Sequence, residues 1–330
     1  MNSMANGDER VFVGTVGEGL YISDDGGATF KRPSNNGLYI EGEVRALAAH
    51  PGNPSRIFAG THAGVYRSTD GGDNWQRLDS PMDGMQVWAL MVLPGDPDTV
   101  FAGTRPAGVY RSTDGGDTWH DAQLGASTEC PVIEFTRITT IVPDPIAPRG
   151  VWVGVEIDGA FRSDDAGDTW SRHADGLSSL DVHGMVVVPV NGSRTLVAAT
   201  NNGVNVSGDE GASWRRQDLS GIAPWNYFRG IRQQAGKPDT IFLGNGNGPP
   251  GSEGAVLRSR DGGTSWQRIA LPVDPNSTIW DYATHTADPD LVYAYTCSGE
   301  LYRSADGGDR WDKMRHEFGE IRALMWAPAR

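Results

Sequence analysis

The sequence is poor in positive charge and has no long hydrophobic run. Its 330 residues carry 28 Lys and Arg against 42 Asp and Glu, which gives a formal net charge of −14. Nucleic acids and anionic membranes are bound by clustered positive charge, so neither is an expected partner. No stretch approaches the roughly 20 apolar residues that a membrane-spanning helix requires.

Cysteine is equally scarce. Cys130 and Cys297 are the only two, and their wide separation fits neither a disulfide framework nor a metal-ligand spacing. We therefore expect two unpaired thiols, no metal site and no cofactor. The N-terminal residues have neither the basic nor the apolar segment of a signal peptide, which favours a cytoplasmic protein, although a chain trimmed of its leader would read the same way.

The apolar residues show no helical periodicity, but the sequence contains a repeat. The pattern S-x-D-x-G-x-x-W occurs seven times, with Phe30 in place of Trp once, and its spacing of about 45 residues is typical of one propeller blade per repeat. The repeats occupy residues 23–30, 68–75, 112–119, 163–170, 207–214, 259–266 and 304–311.

Each repeat unit contains four short β-prone segments separated by turn residues. In the unit from Val44 to Leu78 these are "VRALAAH", "RIFAGT", "GVYRS" and "NWQRL". The chain opens with "RVFVGT", which matches a second segment, and closes with "EIRALMWAP", which matches a first segment. We therefore predict one all-β domain over residues 1–330. It is a seven-bladed β-propeller of four-stranded antiparallel blades, closed because the C-terminal strand completes the N-terminal blade.

The repeated Asp has two possible roles, as a ligand for substrate or calcium or as part of a turn. A short Asp side chain can accept backbone N–H groups across a tight turn, and the neighbouring glycines permit positive φ. Seven turns at the outer rim between third and fourth strands cannot converge on one ligand, so a structural role is predicted. The residues concerned are Asp25, Asp70, Asp114, Asp165, Asp209, Asp261 and Asp306.

The pattern resembles the Asp-box, or BNR, repeat of sialidases, xyloglucanases, the sortilin ectodomain and the photosystem II assembly factors. The resemblance covers nearly the whole chain and implies a β-propeller, but these families include hydrolases, receptors and assembly factors. The nearest string to the Arg-Ile-Pro signature of sialidases, "FTRITT" from Phe135, lacks the proline. No sialidase catalytic residue is therefore transferred to this chain.

A ligand site is expected at the mouth of the central channel, where the first strands begin. Aligning the first strands on the proline turns that follow them predicts a ring of Arg45, Trp88, Arg137, His183, Arg229, Trp280 and Arg322. Two residues upstream a second ring is predicted from Glu43, Gln86, Phe135, Asp181, Tyr227, Thr278 and Glu320. Arginines could clamp an anion and tryptophans could stack on a sugar, so Arg45, Trp88, Arg137, Arg229, Trp280 and Arg322 are the predicted ligand-binding residues. The alternative is that the rings serve packing and mutual neutralisation, for example of Glu43 with Arg45.

Two insertions, residues 124–134 and 244–255, are expected beside this mouth. Acid–base catalysis there could use His183, Asp181, Glu134 and Tyr227. One hypothesis is therefore a glycosidase-like hydrolase or lyase acting on a small anionic or sugar-like ligand. The other is a non-catalytic binding or assembly-factor propeller whose Arg-lined face holds an acidic protein partner.

Overall fold

A computed structural model of the chain describes residues 9–190 and 192–329. The first eight residues, Asn191 and Arg330 belong to the predicted domain and lie outside the described part. All regular structure in the described part is β-strand. It accordingly contains no helix long and apolar enough to cross a membrane.

The strands form seven blades and one small hairpin. Blade 7 begins with β1 (Glu9–Thr15) and β2 (Leu20–Ser23). Blade 1 comprises β3 (Val44–His50), β4 (Asn53–Thr61), β5 (Gly64–Ser68) and β6 (Gln76–Arg77), and blade 2 comprises β7 (Gln86–Val92), β8 (Val100–Arg105), β9 (Val109–Ser112) and β10 (His120–Asp121). The hairpin is β11 (Glu129–Cys130) with β12 (Glu134–Phe135). Blade 3 comprises β13 (Ile138–Pro143), β14 (Val151–Val155), β15 (Gly159–Ser163) and β16 (Ser171–Arg172).

The second half of the chain repeats the same order. Blade 4 comprises β17 (Val182–Val190), β18 (Ser193–Thr200), β19 (Gly203–Ser207) and β20 (Arg215–Gln217). Blade 5 comprises β21 (Tyr227–Gln234), β22 (Lys237–Gly246), β23 (Gly254–Ser259) and β24 (Gln267–Ile269). Blade 6 comprises β25 (Ile279–His285), β26 (Asp288–Thr296), β27 (Leu301–Ser304) and β28 (Asp312–Lys313), and β29 (Ile321–Pro328) returns to blade 7.

The ring is closed by β29, as the sequence predicts. This strand pairs antiparallel with β1 from Glu9–Pro328 to Thr15–Ile321, and β1 in turn pairs with β2. The fourth position of blade 7 is a single bridge between Ile22 and Lys31, with reciprocal backbone hydrogen bonds of 2.9 Å. Pro33 soon follows and has no N–H to donate, which fits a fourth strand this short.

The first strands line the axis, and the hydrophobic core lies between blades. Each first strand contacts the next around the ring, and β29 contacts both β25 and β3. Seven hydrophobic clusters form, each drawn from two neighbouring blades. Because both faces of every blade are covered, Phe58, Phe101, Trp152 and Phe242 are completely buried.

The seven repeat turns share one hydrogen-bond pattern. In each turn the Ser Oγ accepts the backbone N–H four residues on, at 2.7–2.9 Å. The Asp Oδ1 likewise accepts the N–H four residues on, at 2.8–2.9 Å. The carboxylates are thus engaged by their own turns and lie far from the axis.

Each repeat turn also accepts a side-chain hydrogen bond from the preceding blade, a contact we call the interblade clamp. Arg67 donates to the Gly115 carbonyl at 2.9 Å, and its ion pair with Asp117 adds a second contact at 2.6 Å. The full set of clamp pairs is Arg10–Gly71, Arg67–Gly115, Arg111–Ala166, His173–Gly211, Gln217–Gly263, Arg258–Gly307 and Tyr293–Gly26. Every junction of the ring is therefore tied by at least one such bond.

Trp75 tests the contribution of one repeat turn to stability. Its ring is buried between blades, and its Nε1 donates to the Gly72 carbonyl at 3.1 Å. We expect Trp75→Ala to lower the free energy of unfolding by about 3–5 kcal/mol, measured by urea denaturation, because it leaves a large cavity. Trp75→Phe, the residue that the turn of blade 7 carries as Phe30, is the control and should lose clearly less. Equal losses for both variants would contradict this account.

The carboxylate of a repeat turn should make the stability of the fold vary with pH in the acid range. Hydrogen bonds from the Thr118 side chain and backbone lower the pKa of Asp114 from 3.8 to about 2. A carboxylate with a depressed folded-state pKa stabilises the fold above its unfolded pKa and loses that contribution as the pH falls toward the folded value. Asp114→Asn should therefore lower the melting temperature at pH 6 but differ little from the parent protein at pH 2. A difference that stays constant with pH would show that the charge plays no part.

Candidate functional site

A β-bulge near the start of each first strand shapes the channel mouth. In six blades the residue of the first predicted ring has no partner on the neighbouring strand of the blade. In blade 5 the next residue, Gly230, is unpaired as well. The unpaired ring residues are Arg45, Trp88, His183, Arg229, Trp280 and Arg322. A bulge frees a residue from the ladder and redirects its side chain, here at the channel mouth.

Blade 3 departs from the sequence alignment. Its bulge residue is Thr139, and Arg137 lies two positions upstream. The proline alignment is shifted by two residues because it used Pro143, whereas Pro145 follows the bulge residue by six positions, as Pro51 follows Arg45 in blade 1. Arg137 therefore belongs to the upstream ring, in the place that the alignment predicts for Phe135.

The two rings are linked by hydrogen bonds between residues two apart. Arg45 pairs with Glu43 at 2.7 Å, and His183 Nε2 lies 3.2 Å from Asp181 Oδ2. Trp88 Nε1 donates to Gln86 at 3.0 Å, and Arg322 pairs with Glu320. The alternative interpretation of the rings, in which charged residues neutralise each other, therefore holds for Arg45 with Glu43 and for Arg322 with Glu320.

The two tryptophans bring the arginines together across the mouth. Trp88 has the guanidinium groups of Arg45 at 4.2 Å, Arg137 at 4.1 Å and Arg322 at 5.6 Å from its ring centroid. Trp280 has Arg229 at 4.2 Å and Arg322 at 4.4 Å. The indole faces are therefore occupied by cations, which leaves little room for stacking on a sugar.

Glu156 lies outside the two predicted rings, in the loop between the second and third strands of blade 3, where the sequence places it on the mouth face. It is 7% exposed, lies 2.5 Å from Arg137, and its backbone N–H donates to the Arg137 carbonyl at 2.9 Å. Burial raises the pKa of Glu156 above its ordinary value despite the nearby arginine. The available signal was the strand register, because Val155 pairs with Ile138 and so places the following residue opposite Arg137.

Arg229 differs from the other three arginines. It is 6% exposed, and within residues 9–190 and 192–329 no carboxylate oxygen lies within 4.0 Å of its guanidinium. Burial and the positive charge of Arg229 lower the pKa of Arg137 to about 10. Four carboxylates (Glu43, Glu156, Asp181 and Glu320) accompany the four guanidiniums, yet the pairing leaves Arg229 unmatched.

Three of the four predicted catalytic residues come together. His183 is buried, with Nδ1 2.6 Å from the Phe228 carbonyl and its ring 5.0 Å from that of Tyr227. Burial and the charge of Arg229 lower the pKa of His183, and burial raises that of Tyr227. Burial pushes the pKa of Asp181 upward, but the His183 hydrogen bond and the nearby positive charges outweigh it, so the pKa lies below its ordinary value.

Glu134 and the insertions flank this group. Glu134 lies on β12, where it pairs with Cys130, and its side chain is exposed and forms no hydrogen bond to the described buried residues of the mouth. The β11–β12 hairpin is held by Arg105, whose Nη2 donates to the Ile133 carbonyl at 2.9 Å. The second insertion is held by Thr278, whose Oγ1 donates to the Gly248 carbonyl at 2.6 Å. Both insertions thus lie beside the mouth.

Neither cysteine forms a disulfide bond. Cys130 and Cys297 are free and buried, and burial raises the pKa of the Cys297 thiol. In the part of the chain that the structure describes, no group of three or more His, Cys, Asp or Glu residues is arranged to hold a metal ion.

In sequence the chain is similar to xyloglucanases. It is 29% identical over 285 residues to a xyloglucanase from a Paenibacillus species. That alignment covers 68% of this chain and 26% of the relative, so the chain spans about a quarter of the relative's length. No protein-family model matches the chain.

Solved structures of two kinds share the fold. A structure described as YCF48 bound to D1 peptide has a TM-score of 0.63 at 20% identity and covers 89% of this chain and 88% of its own. The GH74 xyloglucanase from Xanthomonas campestris has a TM-score of 0.61 at 21% identity and covers 86% of this chain and 46% of its own. At these identities the likeness establishes the propeller fold and nothing further.

The unmatched charge of Arg229 has a measurable consequence. Arg229→Met keeps the packing on Trp280 and removes repulsion with Arg137, so it should raise the free energy of unfolding by about 1 kcal/mol. Arg45→Met is the matched control and should lower it by about 1–3 kcal/mol, because Glu43 loses its partner. Chemical denaturation of both variants measures the difference. Destabilisation of similar size in both would mean that Arg229 is satisfied within the fold.

Proposed function

We propose that this propeller is a binding module whose channel mouth recognises a carboxylate on an acidic protein or peptide. The observation that carries the proposal is the state of Arg229, which is buried, stacked on Trp280 and without a carboxylate partner among the described residues. A guanidinium is a planar donor that suits bidentate binding of a carboxylate. Arg137 and Arg322 lie close enough to add to the positive potential.

The state of His183 favours binding over acid–base catalysis. Both ring nitrogens face oxygen atoms of the protein, and the residue is 7% exposed. A general acid or base must reach the proton that it transfers, directly or through one water. His183 is better suited to fixing the orientation of Asp181 beside Arg229.

One of the two kinds of structural neighbour supports binding of a peptide. The YCF48 structure matches this chain over nearly the full length of both proteins and is described with a bound peptide. We further infer that the seven repeat turns are of the Asp-box type, a repeat that serves the fold and leaves the mouth free to vary.

Thermal shift measurements with small carboxylates test this proposal. Succinate, citrate and glutamate should raise the melting temperature of the parent protein, with a smaller shift in Arg229→Ala and Arg137→Ala. Arg215→Ala, which removes an exposed arginine from β20, is the control and should respond like the parent. Equal shifts in the parent and Arg229→Ala proteins would refute a carboxylate site at Arg229.

A second candidate function is glycoside hydrolysis. Its support is the pair Glu156 and Asp181, whose pKa values are shifted in opposite directions, together with the sequence similarity to xyloglucanases. Glycosidases commonly pair a carboxylic acid of raised pKa with an ionised carboxylate. Release of reducing sugar from xyloglucan, abolished in Glu156→Gln, would support it. No release by the parent protein would count against it.

A further inference from the structure

Among the six unpaired ring residues at the mouth, His183 alone changes its hydrogen-bonding capacity near neutral pH. Arginine and tryptophan side chains only donate hydrogen bonds, and they do so at every pH at which a protein is normally folded. A neutral imidazole carries one N–H, whereas an imidazolium carries two. The protonation state of His183 therefore decides how many of its contacts are hydrogen bonds. The other five ring residues are Arg45, Trp88, Arg229, Trp280 and Arg322.

Both ring nitrogens of His183 face oxygen atoms that accept hydrogen bonds. Nδ1 lies 2.6 Å from the Phe228 carbonyl, and Nε2 lies 3.2 Å from Asp181 Oδ2. Burial raises the pKa of Asp181, but the His183 contact and the nearby arginines outweigh burial, so this carboxyl is ionised and can only accept. A neutral imidazole satisfies one of the two oxygens and directs a lone pair at the other. Only the imidazolium donates to both.

Burial and Arg229 oppose a positive charge on His183. The imidazole is 7% exposed and packs on β21, where its ring lies 5.0 Å from that of Tyr227 and its Nδ1 faces the carbonyl of the residue directly before Arg229. Burial and then the positive charge of Arg229 lower the pKa of His183. Arg229 is also buried and has no carboxylate partner among the described residues, so salt screens its charge little. The contacts of His183 thus favour a second proton, and the charge of Arg229 disfavours it.

The other titratable and charged groups around His183 are already engaged. Asp181, on the same blade, contacts the ring itself. Arg137 and Glu156 act on Asp181 from blade 3, and they pair with each other at 2.5 Å. Tyr227, on β21, is kept neutral because burial raises its pKa. The unpaired guanidinium of Arg229 is therefore the charge near His183 that a bound anion changes most.

We propose that binding of a carboxylate at Arg229 is coupled to the uptake of a proton by His183. The bound carboxylate offsets the positive charge of Arg229, and the imidazole then donates to both the Phe228 carbonyl and Asp181. Because the bound state holds more protons, affinity rises as the pH falls through the bound-state pKa of His183 and levels off below the free-state pKa. The mouth thus binds its acidic partner more tightly at mildly acid pH. This inference rests on the proposed function and specifies how the same site is regulated.

Isothermal titration calorimetry of the full chain with glutamate tests the coupling. Both carboxylates of glutamate stay ionised above about pH 5.5, so a change in affinity reports on the protein. Affinity should rise several-fold between about pH 7.5 and 5.5, with a limit of about tenfold per pH unit for one proton. Titrations in buffers of different ionisation enthalpy should show net proton uptake. His183→Asn, which keeps an N–H donor but does not titrate, should lose the uptake, whereas Glu156→Gln should retain it.

NMR titration of the His183 ring tests the same coupling without a ligand. Its signal is assigned by its loss in His183→Asn. Arg229→Met removes the guanidinium and should raise the pKa of His183, because the repulsion is lost. Arg45→Met removes an arginine that is paired with Glu43 on blade 1, and as the matched control it should leave this pKa nearly unchanged. An unaltered titration of His183 in Arg229→Met would overturn the inference.

The outcomes distinguish this inference from the function on which it rests. If glutamate binds in an Arg229-dependent manner with constant affinity over this pH range and no proton uptake, the coupling is refuted and the carboxylate site stands. If proton uptake persists in His183→Asn, another group titrates and the assignment to His183 is wrong. If the parent protein binds none of the carboxylates, the proposed function fails and the inference fails with it.

Discussion

The hydrogen bond from each blade to the repeat turn of the next is the constraint on which this molecule depends. Each blade contacts its neighbours mainly through apolar side chains, which fix distance better than register. The interblade clamp adds direction, because Arg67 reaches one carbonyl and one carboxylate of the following turn. Repeated around the ring, these bonds tie each blade to the next, and neighbouring first strands contact one another around the axis.

Because the first strands lie side by side around the axis, their bulge residues lie at the same depth of the channel. An unpaired residue at the same depth of six first strands sends six side chains into one small volume, although they lie far apart in sequence. Cation–π contacts to Trp88 and Trp280 then hold guanidiniums that would otherwise repel one another. The acidic turns and the cationic mouth thus lie at different depths of the same blades and do not compete.

Much of this architecture could be predicted from the sequence, because a repeat transfers what is learned in one blade to the others. The seven blades and the closure by β29 followed in this way. The position of Arg137 did not, because two candidate prolines, Pro143 and Pro145, lie at and just after the end of the first strand of blade 3, and the alignment used the wrong one. The partner of Arg137, Glu156, depends on cross-strand geometry. The isolation of Arg229 depends on distances to every nearby carboxylate, which no local pattern encodes.

The lack of a carboxylate partner for Arg229 among the described residues is also related to how the neighbouring side chains are arranged. A buried guanidinium without a partner costs stability, and a carboxylate in reach would remove that cost and also block the site. Asp181 is close enough to act on Arg229 through space, yet its Oδ2 is directed to His183, which is itself held by the Phe228 carbonyl. Asp181 thus interacts with Arg229 through space but forms no ion pair with it. If the proposed function is correct, an external carboxylate pairs with Arg229, and the free protein bears the cost of this unpaired guanidinium in its stability.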